Sequence, residues 1–414
     1  MIYHPYNFAS HYNRLGYYQV GEHLTYSKIE AMDLAARGLS PIWFRFNDEK
    51  FSLFDWSKEP EMSLESLYRL RAQQIREQYD YVVVMYSGGA DSHNVLMSFV
   101  NAGLHIDEIA HVTEYQVDQN RDSFANAEIF KVAYPTAKNI ISQRNLKTKQ
   151  RVIDVSQIVL DLGDLMDADE YRSGTSSWMT PGNMAKSYIR ERVPEYQQLA
   201  EQGKKICFVW GIDKPGLVTL VPKKRLFRNI CYAVVFHDRE GSLISPRQKY
   251  LNRSWEHDEY FYWSADLPEL ICKQAHVIRK AVTAHTVTGL QSSFKEFGFR
   301  LGQGSKFLPL DLDSGHRAIY PYWDTDTFSS GKTVSRVYSD RDAWLFSGIE
   351  STKTVKMFQS VVTNLQGHTY WKNNKDGLPV TYSRIYLLDK IDNIENYHVH
   401  YPLDRNVFAE QGYF

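Results

Sequence analysis

Tyr81-Val82-Val83-Val84-Met85-Tyr86 runs directly into Ser87-Gly88-Gly89-Ala90-Asp91-Ser92, and the reading of that junction decides the fold. Consecutive β-branched residues, bounded by turn residues on one side and a small polar loop on the other, describe a strand buried on both faces of a parallel sheet. Asp91 and Ser92 open a helical run from His93 to Ala102, which Gly103 can end in the left-handed conformation. The order strand, Gly-rich loop, helix has an electrostatic consequence. A helix N-terminus exposes unpaired N–H groups and a partial positive charge, so an anion is expected there. Gly88 and Gly89 allow unusual dihedrals and close approach of a phosphate, and the hydroxyls of Ser87 and Ser92 add donors.

The loop lacks the spacing of a Walker A motif, and G-x-G-x-x-G is absent from this turn. S-G-G-x-D-S after an apolar strand instead resembles the pyrophosphate loop of the ATP pyrophosphatase (PP-loop, adenine nucleotide alpha hydrolase-like) superfamily. Asparagine synthetases, GMP synthetases, tRNA-thiolating enzymes and phosphoadenylylsulfate reductases belong to it. The resemblance implies a parallel-sheet α/β core, ATP and Mg²⁺ as cofactors, and a loop of Ser87, Gly88, Gly89, Asp91 and Ser92 around the β- and γ-phosphates. The α-phosphorus is then left open to attack, giving an adenylated intermediate and pyrophosphate. Asp91 is the candidate to orient or bind the metal. The backbone of Val112 and Thr113, at the exit of a strand spanning Ile106 to Val112, is expected to read the adenine edge.

A later apolar run, Ile206-Cys207-Phe208-Val209-Trp210, ends in Gly211-Ile212-Asp213-Lys214-Pro215-Gly216. By the same resemblance Gly211, Asp213 and Lys214 face the phosphates, and a compact lysine ammonium suits the pyrophosphate leaving group. Three roles stay open to Asp213: a Mg²⁺ ligand, an orienting partner for Lys214, or a turn cap. Lys223, Lys224, Arg225 and Arg228 are further candidates for the phosphate clamp.

Around this core, 414 residues suggest two or three domains. Residues 1–76 read as a small α+β appendage, 77–235 as the ATP-binding domain, and 236–414 as a mixed region that selects the substrate or a partner. The appendage should contain a helix capped by Ser27 and ended by Gly38, a strand at Ile42 to Phe46, and an amphipathic helix from Leu64 to Gln78. Phe124 to Tyr134 reads as a helix ended by Pro135, with a third strand at Val152 to Val155. The resemblance extends from Tyr79 to Arg239. Asparagine synthetases carry a glutaminase with an N-terminal cysteine; position 2 here is Ile2, so a nitrogen donor would be a free amine.

Composition narrows the rest. The 48 Lys+Arg nearly balance 49 Asp+Glu, so the whole molecule is not built to bind a polyanion. Lys131, Lys138, Arg144, Lys147, Lys149 and Arg151 form a local basic segment, either a contact for an anionic acceptor such as nucleic acid or a solvated face. Asp161, Asp164, Asp167, Asp169 and Glu170 read as a solvated helix. The absence of a long apolar run or signal-like start leads to an expectation of no membrane partner and a cytoplasmic setting. Three cysteines, Cys207, Cys231 and Cys272, form no C-x-x-C pair and read as buried small hydrophobes. The expected activity is an ATP-dependent ligase or transferase that adenylates an acceptor for amide or thio-type transfer. A reductase-like or sulfurtransferase protein and a non-catalytic nucleotide-binding scaffold or sensor are the alternatives. An unfamiliar C-terminal half beside this loop hints at a phage or mobile-element protein.

Overall fold

The computed structural model describes residues 11–38, 40–114, 126, 128–175, 180–212, 214–223, 230–238, 244–251, 253–286, 318–322, 352–368, 378 and 380–400. Its centre is a five-stranded, wholly parallel sheet flanked by helices. Among the described residues twelve strands are numbered in chain order: β1 Tyr17–Val20, β2 His23–Thr25, β3 Ile42–Arg45, β4 Tyr81–Met85, β5 Glu108–Thr113, β6 Lys149–Asp154, β7 Ile206–Trp210, β8 Gly216–Pro222, β9 Cys231–Val235, β10 Glu256–Tyr260, β11 Tyr386–Leu387 and β12 Tyr397–His400. The parallel sheet has the order β10-β7-β4-β5-β6. By order of appearance that is 5-4-1-2-3, the arrangement of a Rossmann-like doubly wound sheet, in which the winding reverses between the first and fourth strands. Here those are β4 and β7.

Val82, Val83 and Val84 are fully buried, as a central strand covered on both faces requires. Helix Ala90–Asn101 follows the loop and packs against helix Leu64–Gln78, which in turn packs against helix Pro268–Thr286. Gly103 has φ +67°, and the Leu104 and Gly103 N–H groups donate to Phe99 O and Val100 O, closing the helix as the sequence predicts. The N-terminal prediction also holds: Ser27 accepts from the Glu30 N–H at the start of helix Lys28–Ala36, and Gly38 has φ +75°.

The parallel sheet crosses the expected boundary at 235. Its fifth strand, β10, reads Glu-His-Asp-Glu-Tyr, and Glu256, Asp258 and Glu259 are all buried. Arginines from distant segments compensate them. Arg190 pairs with Asp258 and, at 3.3 Å, with Glu256; Arg71 donates to Glu259 at 2.7 Å and Arg14 to its other oxygen at 2.5 Å. Burial alone would raise the Glu259 pKa, yet Arg14 and Arg71 hold it at about 2. The amphipathic pattern of helix Leu64–Gln78 includes Arg71 on its buried face for this reason.

The C-terminal region is likewise tied into the core. Helix Lys353–Gln366 lies on helix Ser156–Leu165, where Gly163 approaches the Lys353–Thr354 backbone so closely that a Cβ would fall 2.5 Å from it. Strands β11 and β12 complete an antiparallel sheet, β11-β9-β8-β12, with strands from the expected central domain.

Pro135 does not end a helix. A π-helical turn, Glu128–Ala133, continues into helix Tyr134–Gln143 with Pro135 in its first turn, where the missing N–H has no intrahelical partner to lose. The basic segment is also less exposed in charge than its sequence suggests: Arg151 pairs with buried Glu108 at 2.7 Å, and Lys149 with Glu195 at 3.1 Å. No helix among the described residues is long and apolar enough to cross a membrane.

Candidate functional site

In a sheet of this order the crevice lies outside the carboxyl ends of the two strands where the winding reverses. Two stretches singled out in the sequence leave those ends together: Ser87–Ser92 after β4 and Gly211 after β7. A Cβ at Gly211 would lie 2.8 Å from Ser92 N and 2.9 Å from Asp91 C. Glycine is needed there because the β7 exit touches the first turn of helix Ala90–Asn101.

The two loop glycines differ. Gly88 has φ +81°, and a Cβ would lie 3.0 Å from Ala133 Cβ and 3.1 Å from its N and Cα. Its freedom serves a left-handed turn and close packing against the π-helical turn. Gly89 is the helix N-cap with φ −79° and ψ 167°, extended backbone open to any residue. The expectation of unusual dihedrals at both therefore holds for Gly88 alone. The helix begins at Ala90, so Asp91 and Ser92 lie inside its first turn rather than ahead of it. The first intrahelical bond runs from His93 N–H to Gly89 O at 2.9 Å, which leaves the Ala90, Asp91 and Ser92 N–H groups at the positions that a helix cannot satisfy itself.

The serine hydroxyls face each other. Ser92 Oγ donates to Gly89 O at 3.2 Å and accepts from Ser87 N–H at 3.3 Å, with Ser87 Oγ also 3.3 Å away. An anion drawing on these hydroxyls would have to replace this internal exchange.

Below the loop, two histidines are locked neutral. His111 Nδ1 donates to Tyr86 O at 3.0 Å while Gln150 Nε2 donates to its Nε2 at 2.9 Å, which fixes the tautomer. Burial lowers its pKa to about 4, against a smaller upward pull from the Tyr86 carbonyl. His93, 3.1 Å from the Tyr86 hydroxyl through Nδ1, is likewise drawn down to about 4 by burial. Both brace the strand end.

Asp91 is held from two sides. Tyr262 Oη donates to its carbonyl at 2.8 Å and accepts from Asn94 Nδ2 at 3.1 Å, while Tyr320 Oη donates to its carboxylate Oδ1 at 2.5 Å. Asn94 Oδ1, on a residue 1% exposed, has no hydrogen-bond partner among the described residues. Tyr262 carries no signal in sequence, and Tyr320 lies in an aromatic run, Tyr320-Pro321-Tyr322-Trp323-Asp324, that reads as core or interface before it reads as a pocket wall. The signal for their convergence is three-dimensional.

The remaining candidates divide. Lys214 sits, half-buried, in the connection from β7 to β8 beside Gly211. Thr113 is buried at the end of β5, its hydroxyl donating to Asn126 Oδ1 at 2.6 Å and its carbonyl accepting from Val155 N–H at 2.8 Å. That carbonyl is thus committed to the chain, whereas Ala110 O accepts from Tyr86 N–H on the β4 side, so by strand alternation the backbone of Val112, two residues on, also faces the β4 side at the strand exit. Lys223 follows the last residue of β8, its N–H donating to Asn396 O at 2.8 Å. Asp213, Lys224, Arg225 and Arg228 lie outside the described residues, as do Trp323 and Asp324 of that aromatic run.

The site residues fit a nucleotide phosphate through the first-turn N–H groups, with the carboxylate of the same turn requiring a cation beside the phosphate. They fit Mg²⁺ in the manner typical of that ion, which takes one or two carboxylates and completes its shell from water and substrate phosphates. No cluster of three or more His, Cys, Asp or Glu forms a self-contained metal cage among the described residues. Comparison with protein-family models and with curated proteins yields no match to this chain.

Proposed function

We propose that the chain binds Mg·ATP at the β4–β7 crevice and cleaves it between the α- and β-phosphates, as an adenylating enzyme of the PP-loop, HUP-type class. The observation that carries this reading is the contact of Gly211 with the Asp91–Ser92 peptide at the point where the strand order reverses. Two stretches that the sequence offers for phosphate binding thus meet at the carboxyl ends of β4 and β7. The helix N-terminus supplies roughly half a positive charge toward the terminal phosphates. Asp91 would hold Mg²⁺, which when bound would offset the charge that develops on pyrophosphate, and Lys214 would add positive charge from the β7 exit. An acceptor oxygen attacks the α-phosphorus, the bond to the β-phosphate oxygen breaks, and AMP remains on the acceptor for displacement by an amine or sulfur nucleophile.

Thiol chemistry by the chain itself is disfavoured. All three cysteines are buried, and burial pushes the Cys272 thiol up to about 12 and raises those of Cys207 and Cys231. A sulfur nucleophile would have to arrive as a second substrate. Parallel incubations with α-labelled and γ-labelled ATP and Mg²⁺, resolved by thin-layer chromatography, test the bond cleaved. AMP with equimolar pyrophosphate is expected; ADP as the main product contradicts the proposal.

A further inference from the structure

One contact at the crevice is unused by the proposed reaction: the hydroxyl of Tyr320 on Asp91. Tyr320 is fully buried, its ring centroid 5.5 Å from that of Tyr262. The backbone beside it is clamped as well. Tyr68 Oη donates to Ile319 O at 2.5 Å and accepts from Gln274 Nε2 at 3.0 Å, and these two residues come from helices Leu64–Gln78 and Pro268–Thr286, which pack together. The Tyr320 hydroxyl is therefore delivered to Asp91 by a pinned main chain and a packed ring.

A carboxylate in the first turn is favoured by the helix dipole, yet it repels a phosphate bound at the same N–H groups. The two are compatible when a cation lies between them. Tyr320 occupies Oδ1, while Oδ2 takes no hydrogen bond among the described residues. Mg²⁺ demands near-octahedral geometry, so the rotation of a lone protein carboxylate ligand governs how well the ion is held. We infer that Tyr320 is a positioning residue for the cation, its hydroxyl fixing the Asp91 carboxylate through Oδ1 and leaving Oδ2 as the metal ligand. The inference rests on the Mg·ATP reading and goes beyond it: a residue far along the C-terminal half sets the metal dependence of the loop.

The test is equilibrium titration of ATP onto the full chain at a series of Mg²⁺ concentrations and in EDTA, for the unsubstituted protein, Tyr320→Phe and Tyr68→Phe. Loss of a hydrogen bond to a metal ligand should raise the Mg²⁺ concentration for half-maximal effect about 10-fold in Tyr320→Phe, with metal-free ATP affinity retained. Tyr68→Phe loosens the clamp on Ile319 without removing the hydrogen bond to Asp91, and its metal dependence should shift less than that of Tyr320→Phe. A Tyr320→Phe protein with unaltered Mg²⁺ dependence, or a Tyr68→Phe protein shifted as much, overturns the inference while leaving ATP binding in place. If the unsubstituted protein binds no ATP, the nucleotide reading itself fails, and the inference with it.

Discussion

β4 and β10 lie in one parallel sheet, each beside β7, and both are buried, but they are buried by opposite means. β4 presents Val82, Val83 and Val84 and needs nothing but apolar cover. β10 presents Glu256, Asp258 and Glu259 and requires Arg190, Arg71 and Arg14 from elsewhere in the chain. A strand of the first kind announces itself in sequence, whereas one of the second kind reads as a polar surface segment until its partners are known. The lesson for function is that the polar strand builds a floor for the crevice, since Tyr262, two residues beyond its end, supports Asp91.

The sharpest way to break the comparison is to remove a cation from the β10 side. Arg190→Leu leaves two buried carboxylates short of a partner and should cost about 3–5 kcal/mol, read by urea denaturation. ATP affinity of the fraction that folds should be unaltered. A cost below about 1 kcal/mol would mean that β10 is solvated rather than buried.

Acid should separate the two regions by pH window. The His93 and His111 pKa values are drawn from an ordinary 6.5 to about 4 by burial, so the unfolded chain takes up protons first. Stability from keeping them neutral is whole above pH 6.5 and is lost as pH falls to about 4, by about 3 kcal/mol for each. Glu259, held at about 2, contributes above its ordinary 4.5 and loses that contribution between there and pH 2. Melting temperature against pH should therefore fall in two stages, and His111→Gln should flatten the upper one.

A smaller effect distinguishes the loop glycines. Gly88→Ala meets both a left-handed φ and Ala133, and should lose about 1–3 kcal/mol by chemical denaturation. Equal stability of this variant and the unsubstituted protein would contradict the close packing of the loop on the π-helical turn.

Much of the crevice was legible in the chain because it depends on local chemistry. An apolar strand, a Gly-Gly turn and a helix follow one another without a break, and Gly211 follows the next apolar run. What was not legible depends on partners distant in sequence: the buried acids of β10 and the reach of Tyr320 to Asp91. Pro135 misled for a local reason, since the same residue that stops a helix from within is accepted in its first turn.

The claim most in need of a direct trial is that the first turn after β4 holds a nucleotide phosphate. Gly89 offers a clean test, because its extended backbone accepts a side chain without strain while sitting at the N-cap where a phosphate would lie. Isothermal titration of Mg·ATP onto Gly89→Val, with the melting temperature confirming an intact fold, should show affinity reduced at least about 10-fold, since a branched side chain would keep the phosphate from the N–H groups. Unchanged affinity in a folded Gly89→Val protein would contradict the assignment of this loop as the phosphate site.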